Sequence, residues 1–190
     1  RGAGETAVVR GVGDDPGKRV YLHHLRYAVA VLAQVHPGPV PAAQGARAET
    51  PFLSQVDAFA RSARVSNVDY VLDFTLTGKE TFAGTTTVTF DLKDADAPVT
   101  LDLKDATVKS VSVNGKPVAT RYNKWFVTLD AASLAKGRNT VVIDYERLHS
   151  TNGEGLHRMV DPADGRVYTY SHFEPVAAQQ MFAVFDQPDL

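Results

Sequence analysis

The sequence predicts an all-β fold, an antiparallel β-sandwich or saddle-like sheet with short helices on its N-terminal side and after its last strand. Three observations carry that prediction. Between residues 67 and 145 apolar and polar side chains alternate in short runs, so each run buries one face of a strand and leaves the other wet. The runs recur about every ten residues, with no helical pattern long enough to cover a parallel sheet. Between two of them stands Asn114-Gly115, a strong hairpin signal, because a type I′ turn needs positive φ at both central residues.

Residues 1–17 are glycine-rich and aperiodic and are expected to be disordered. In residues 18–35, basic side chains (Lys18, Arg19, Arg26) precede an apolar stretch over 27–32; Pro37-Gly38-Pro39 and an A-x-A pattern, Ala46-Arg47-Ala48, follow. That order is the layout of a secretory signal peptide, although Gln34 interrupts the apolar run and the spacer before Ala48 is long. A plain amphipathic helix is the other reading. Either way, residues 1–48 are assigned to a disordered or signal-like segment and residues 49–190 to one β-domain. Export to the periplasm or medium is expected, with a cytoplasmic location as the alternative.

Residues 51–63 read as a short helix, since Ser54 and Asp57 form a capping-box pattern and Leu53, Val56, Phe59 and Ala63 fall near one face. The period then changes to two. Val68, Tyr70, Leu72, Phe74 and Leu76 alternate with polar residues, broken only by Val71, and Gly78-Lys79 marks a turn. Over 85–92, Thr86, Val88, Phe90 and Leu92 share one face. Val99, Leu101 and Leu103 alternate with Thr100 and Asp102. Residues 107–113 run into the Asn114-Gly115 turn, with 118–122 as the returning strand and 125–129 as the next. Residues 133–136 with Gly137 read as one helical turn and its cap. Residues 140–145 align Val141, Ile143 and Tyr145 in a strand before a glycine-containing loop.

The last stretch, 166–190, combines strand and turn chemistry. In an extended chain Tyr168, Tyr170, His172 and Glu174 point one way. Pro175 ends the strand and suits the start of a short helix over 176–182. Asp186-Gln187-Pro188 is turn chemistry, with Asp186 as a structural acceptor. Glu174 at such a junction either complements a helix N-terminus or meets a ligand, and His172 either packs among aromatics or lines a site. Residue types alone leave both pairs of readings open.

Composition excludes several functions. With 20 basic and 22 acidic residues and a net charge of −2, the chain does not suit phosphate neutralisation, and no nucleic-acid partner is expected. The absence of cysteine removes disulfides, thiolate metal sites and cysteine nucleophiles. No apolar run approaches the ~20 residues of a membrane span, and firm membrane association is not expected. The chain opens on Arg1 and is read as a fragment or processed product. None of its six histidines begins an H-E-x-x-H motif. His149 and His157 flank a loop at a spacing that matches no common ligand pattern. Gly153-Glu154-Gly155 lacks the Lys-Ser/Thr of a P-loop, and Asp161, Asp164 and Gly165 fit a tight turn better than a calcium loop. There is no G-x-S-x-G. No catalytic residue and no metal ligand is assigned within the chain.

The string TYSHFEPVAAQQMFAVFDQPDL resembles the hallmark segment of the zinc aminopeptidases of the aminopeptidase N type, TQFEP-x-x-ARRxFPCFDEP-like, which closes an N-terminal β-domain against the catalytic domain. Residues 150–158 and 161–165 resemble the GxGLHRxxDPxDG stretch of bacterial members, and a weaker likeness reaches back to about Val65. The resemblance implies an enzyme that removes N-terminal residues from peptides. Its Zn2+ would be held by H-E-x-x-H and a further glutamate in a catalytic domain beyond Leu190. The chain alone is therefore expected to be inactive, with sheet edges exposed where the domain is incomplete. By the same resemblance Glu174 matches the glutamate that pairs with the substrate's α-ammonium, and His172 stands where many members have a glutamine lining the pocket for the first side chain. A blocked terminus would leave that carboxylate without its partner, at a cost of several kcal/mol. Gln179 and Gln180 replace basic residues and Ala183-Val184 replaces Cys-Pro; these read as packing changes without functional content. The alternatives are a non-catalytic β-sandwich module that binds peptide or carbohydrate on Tyr168, Tyr170 and Trp125, and a purely structural sandwich held at the envelope by residues 18–35.

Overall fold

The first strand, β1 (Val8–Gly11), falls in the stretch expected to be disordered, yet it pairs in parallel with the outer edge of β2 (Val65–Thr75). The computed structural model describes residues 8–11, 47–77, 79–187 and 189–190. Residues 18–35, and the signal-like reading built on them, lie outside the described residues. Among the described residues no helix is long and apolar enough to cross a membrane.

Helix α1 (Gln55–Ser62) forms as its cap dictates: the Ser54 hydroxyl oxygen accepts from the Asp57 backbone N–H at 3.1 Å. Its inward face differs from expectation. Val56 and Phe59 are 44% and 54% exposed, whereas Arg61 is buried at 8%. An ion pair selects the face, as described below.

From β2 the chain turns into β3 (Thr81–Leu92), with Val65, Val68, Leu72 and Phe74 of β2 buried and Asn67, at φ +51°, accompanying a register shift between Ser66 and Asp69. Then follow β4 (Val99–Asp102), β5 (Thr107–Val113), β6 (Lys116–Pro117) and β7 (Phe126–Leu129). A 3-10 turn over Ala131–Ser133 leads into β8 (Gly137–Leu148), where Gly137 adopts φ +89°. The Asn114-Gly115 turn has both residues at positive φ, +51° and +76°, as the hairpin signal requires. The return strand lies before the expected 118–122: β6 spans Lys116–Pro117, and of the expected residues Tyr122 makes an isolated bridge to Val127. Proline at 117 removes a ladder donor, which is tolerated at this edge position. The expected helical turn over 133–136 sits two residues earlier, as the 3-10 turn. After β8 come β9 (Gly155–Val160), which periodicity did not reveal, and β10 (Val167–His172).

The main sheet has six strands in the order β1-β2-β3-β8-β5-β6, antiparallel apart from β1. Two further antiparallel pairs, β4-β7 and β9-β10, complete the all-β architecture. The inner face of the sheet carries Val88, Phe90, Val141, Ile143 and Val111. They share one core with Leu101 and Leu103 around β4, Val127 and Leu129 of β7, and the chain's last segment (Phe173, Met181, Phe182, Ala183, Phe185). Burial of each large apolar side chain contributes about 1.5–3 kcal/mol. Tyr145 crosses its ladder partner Gly84, where a Cβ would lie 2.4 Å from the phenol ring, and donates its hydroxyl to the Met181 carbonyl at 2.8 Å. On the outer face Thr85 and Ser110 hydroxyls both donate to Asp144, at 2.7 and 2.5 Å.

The charged centre of the fold is Asp102, whose carboxylate is buried. Arg47 donates to it at 2.5 Å, Arg61 at 2.8 Å, and the Asp186 backbone N–H at 3.2 Å. The Arg47 guanidinium lies 4.3 Å over the Phe126 ring and that of Arg61 5.3 Å from Phe185. Alternation placed Asp102 on the wet face of β4, but both faces of β4 are covered here, one by the core and the other by the arginines. The expected boundary after residue 48 excludes Arg47, which belongs to this cluster; a cut after Ala48 would take it away. Asp102→Asn leaves two buried guanidiniums without their counter-charge and is expected to cost about 3–5 kcal/mol, read as a lower urea midpoint. An unchanged midpoint would mean that the cluster contributes nothing to folding.

Candidate functional site

The segment that carries the predicted site residues begins with the β9-β10 hairpin. Its ladder sets Tyr168 against Met159, Tyr170 against His157 and His172 against Gly155. Every residue of β10 is exposed, and with Met159, Val160 and Val167 the two tyrosines give the hairpin an apolar outer surface. The hairpin turn is closed by Asp161, which accepts from the Ala163 N–H at 2.8 Å, and by Asp164, which accepts from the Arg166 N–H at 2.9 Å. The tight-turn reading of these aspartates matches this geometry.

At the end of β10, Ser171, His172 and Glu174 are exposed while Phe173 is buried against Phe182, their rings edge to face at 5.9 Å. Inward anchoring of Phe173 turns its neighbours His172 and Glu174 outward. Neither side chain has a hydrogen-bond or ion-pair partner among the described residues. The helix expected over 176–182 is absent; a turn from Phe173 leads into a 3-10 turn over Ala178–Gln180. An amphipathic helix needs a solvent face, and residues 177–185 have none, being buried throughout. With no α-helix there, Glu174 has no helix N-terminus to complement.

The loop before β9 is tied down by its own side chains. Ser150 donates to the Glu154 carbonyl, and the Gly153 N–H donates to Nδ1 of His157 at 3.0 Å while the His157 ring stacks on Tyr170 at 4.8 Å. His149 is buried against Phe82, ring to ring at 5.0 Å, and burial holds its imidazole below the ordinary histidine range. Both histidines thus have packing roles. Among the described residues no three His, Cys, Asp or Glu side chains are grouped to hold a metal. The tyrosines and Trp125 do not share an element: Trp125 precedes β7, with Lys104 5.9 Å from its ring.

Beyond the 3-10 turn, residues 181–187 cross the inner face of the main sheet. Asp102 and Val184 exchange backbone hydrogen bonds of 2.8 and 2.9 Å, and the Phe185 N–H donates to the Tyr70 hydroxyl at 3.0 Å. Gln187 accepts from Nε of Arg61 at 2.5 Å and donates to the Ala58 carbonyl at 3.3 Å, joining this segment to α1. Asp186 is pushed up to about 6, first by burial and then by the Asp102 carboxylate; the Gln179 backbone N–H and Arg61 act in the opposite sense. Sequence reasoning missed Asp102, Arg61 and Arg47. The one available signal was a run of alternating residues that places a carboxylate beside Leu101 and Leu103.

A mainly antiparallel sheet, closed on one face by its own C-terminal segment and presenting an exposed His-x-Glu strand end, describes an N-terminal β-domain of a peptidase family. Residues 66–190 match the Peptidase M1 N-terminal domain family, and the chain belongs to that family. It is similar to the aminopeptidase N of Streptomyces lividans, with 34% identity over 141 residues, covering 73% of this chain and 16% of that protein. The chain therefore spans a small part of the length of that relative.

The raised Asp186 value gives a pH test. The folded chain binds this proton more tightly than the unfolded chain, so its contribution to stability falls as pH rises from 3.8 to about 6. Asp186→Asn is therefore expected to gain stability relative to the parent protein across that window and to keep the gain above it, measured by urea unfolding at stepped pH. A stability difference that does not change with pH would contradict the burial argument.

Proposed function

We propose that this domain forms one wall of the substrate site of a zinc-dependent aminopeptidase. Glu174 receives the free α-ammonium of the peptide, and His172 lines the pocket for the first side chain. The observation that carries this reading is the exposed carboxylate of Glu174, without a partner among the described residues and aimed outward by the buried Phe173 within the segment that matches the family. A carboxylate with no competing side-chain partner can accept a full charge-assisted hydrogen bond from an ammonium, worth about 1.5–3 kcal/mol. An acylated amine offers no such charge, so the same group that binds a free terminus rejects a blocked one. The His172 imidazole can donate, accept or stack against a side chain.

Zinc finds no ligand set among the described residues. The part left to this chain is binding and orientation, with the metal and the reacting groups supplied by the catalytic domain of the longer protein. The chain alone is accordingly proposed to lack peptidase activity.

In the full-length protein, Glu174→Gln is expected to lower kcat/KM on aminoacyl-anilides by about 10- to 100-fold, the kinetic equivalent of the charge-assisted bond above. Unaltered kinetics would remove Glu174 from substrate binding. Turnover of the same substrates by residues 1–190 alone, with added zinc, would refute the division of labour.

A further inference from the structure

We infer that Glu154 and Gln180 act as a positioning pair for the strand end that carries His172 and Glu174; the inference rests on the substrate-wall reading above. Gln180 is buried, 7% exposed, and its Nε2 donates to Oε2 of Glu154 at 2.9 Å. Nδ2 of Asn152 donates to the same oxygen at 3.3 Å, and the Glu154 N–H donates to Oδ1 of Asn152 at 3.2 Å. With Ser150 bound to its carbonyl, Glu154 holds the loop before β9 by both main chain and side chain.

The next residue transmits that hold. Gly155 adopts φ +61°, and a Cβ there would lie 2.7 Å from the Gln180 Cβ and 3.4 Å from its carbonyl carbon and oxygen. Only glycine allows the loop to sit this close to Gln180. Gly155 is also the ladder partner of His172. Gln180 therefore bears on the strand end from across the ladder. It bears on it along the chain as well: the Ala177 N–H donates to the Phe173 carbonyl at 2.8 Å and the Gln180 N–H to the Ala177 carbonyl at 3.0 Å, closing the turn that starts at Glu174's neighbour. A two-stranded ladder is marginal without such support. The neutral amide suits the position because it supplies a donor to the Glu154 carboxylate without adding a second charge beside it.

The test uses the full-length protein in three forms: wild type, Gln180→Glu, which sets two carboxylates against each other, and the exchanged pair Glu154→Gln/Gln180→Glu, which restores one donor and one acceptor. Each is measured for KM and kcat on aminoacyl-anilides and for amide hydrogen exchange over residues 155–172. Gln180→Glu is expected to lower kcat/KM about tenfold, mainly through KM, and to speed exchange; the exchanged pair is expected to return both to within about twofold of wild type. Wild-type KM in Gln180→Glu, or no recovery in the exchanged pair, would overturn the positioning role. Glu174→Gln serves as the control. Unaltered kinetics there would refute the substrate-wall reading alone. In that case exchange decides the positioning role by itself: quickening in Gln180→Glu with recovery in the exchanged pair would support it, and unchanged exchange would overturn it.

Discussion

The structure depends on one buried carboxylate. Asp102 sits where four segments meet: the stretch at Arg47, helix α1 at Arg61, strand β4 itself, and the final crossing at Val184 and Asp186. A charge this buried is tolerated only when cations and N–H donors surround it, so each segment has to arrive in one place and one orientation. That requirement explains why α1 turns Arg61 inward and leaves Val56 and Phe59 in water. It also bears on why Asp186 resists ionisation: burial is the first cause, the Asp102 charge adds to it, and the Gln179 N–H and Arg61 offset only part of both.

The same crossing holds the candidate site. Residues 181–185 are anchored through Tyr70, Asp102 and the Tyr145 hydroxyl, so the turn that precedes them, and Phe173 before it, have fixed positions on the main sheet. His172 and Glu174 project from the rim of that anchored segment, while the hairpin that supplies them is exposed along all of β10. Rigid support beneath and solvent access above are what a recognition surface needs, because a group held in place loses less entropy when it binds. The Gly155–Gln180 contact and the Glu154 hydrogen bond extend this support to the loop side of the ladder.

Much of this was legible from residue order. Period-two alternation located the buried faces of β2, β3 and β8, and Thr86, Val88, Phe90 and Leu92 are all buried as that pattern requires. The Ser54 cap and the Asn114-Gly115 turn were readable because their chemistry is local. The exposed pair His172 and Glu174 was named from strand periodicity and resemblance. Expectation departed from structure where long-range burial overrode local preference. The 176–182 stretch, helical by composition, is buried from Ala177 onward and holds a 3-10 turn over Ala178–Gln180 instead, and Gln180, read as a packing change, bonds to Glu154.

Sequence by itself determined the fold class and most strand positions and named Glu174 as a candidate, since these follow from side-chain alternation, turn chemistry and residue identity within a few positions. Tertiary structure alone decided the Asp102 cluster, the inward face of α1 and the Glu154–Gln180 contact. The partners in those contacts stand 26 to 55 residues apart in the chain. Whether a carboxylate is buried or wet depends on what covers it, and no local pattern records which distant guanidinium or amide will arrive.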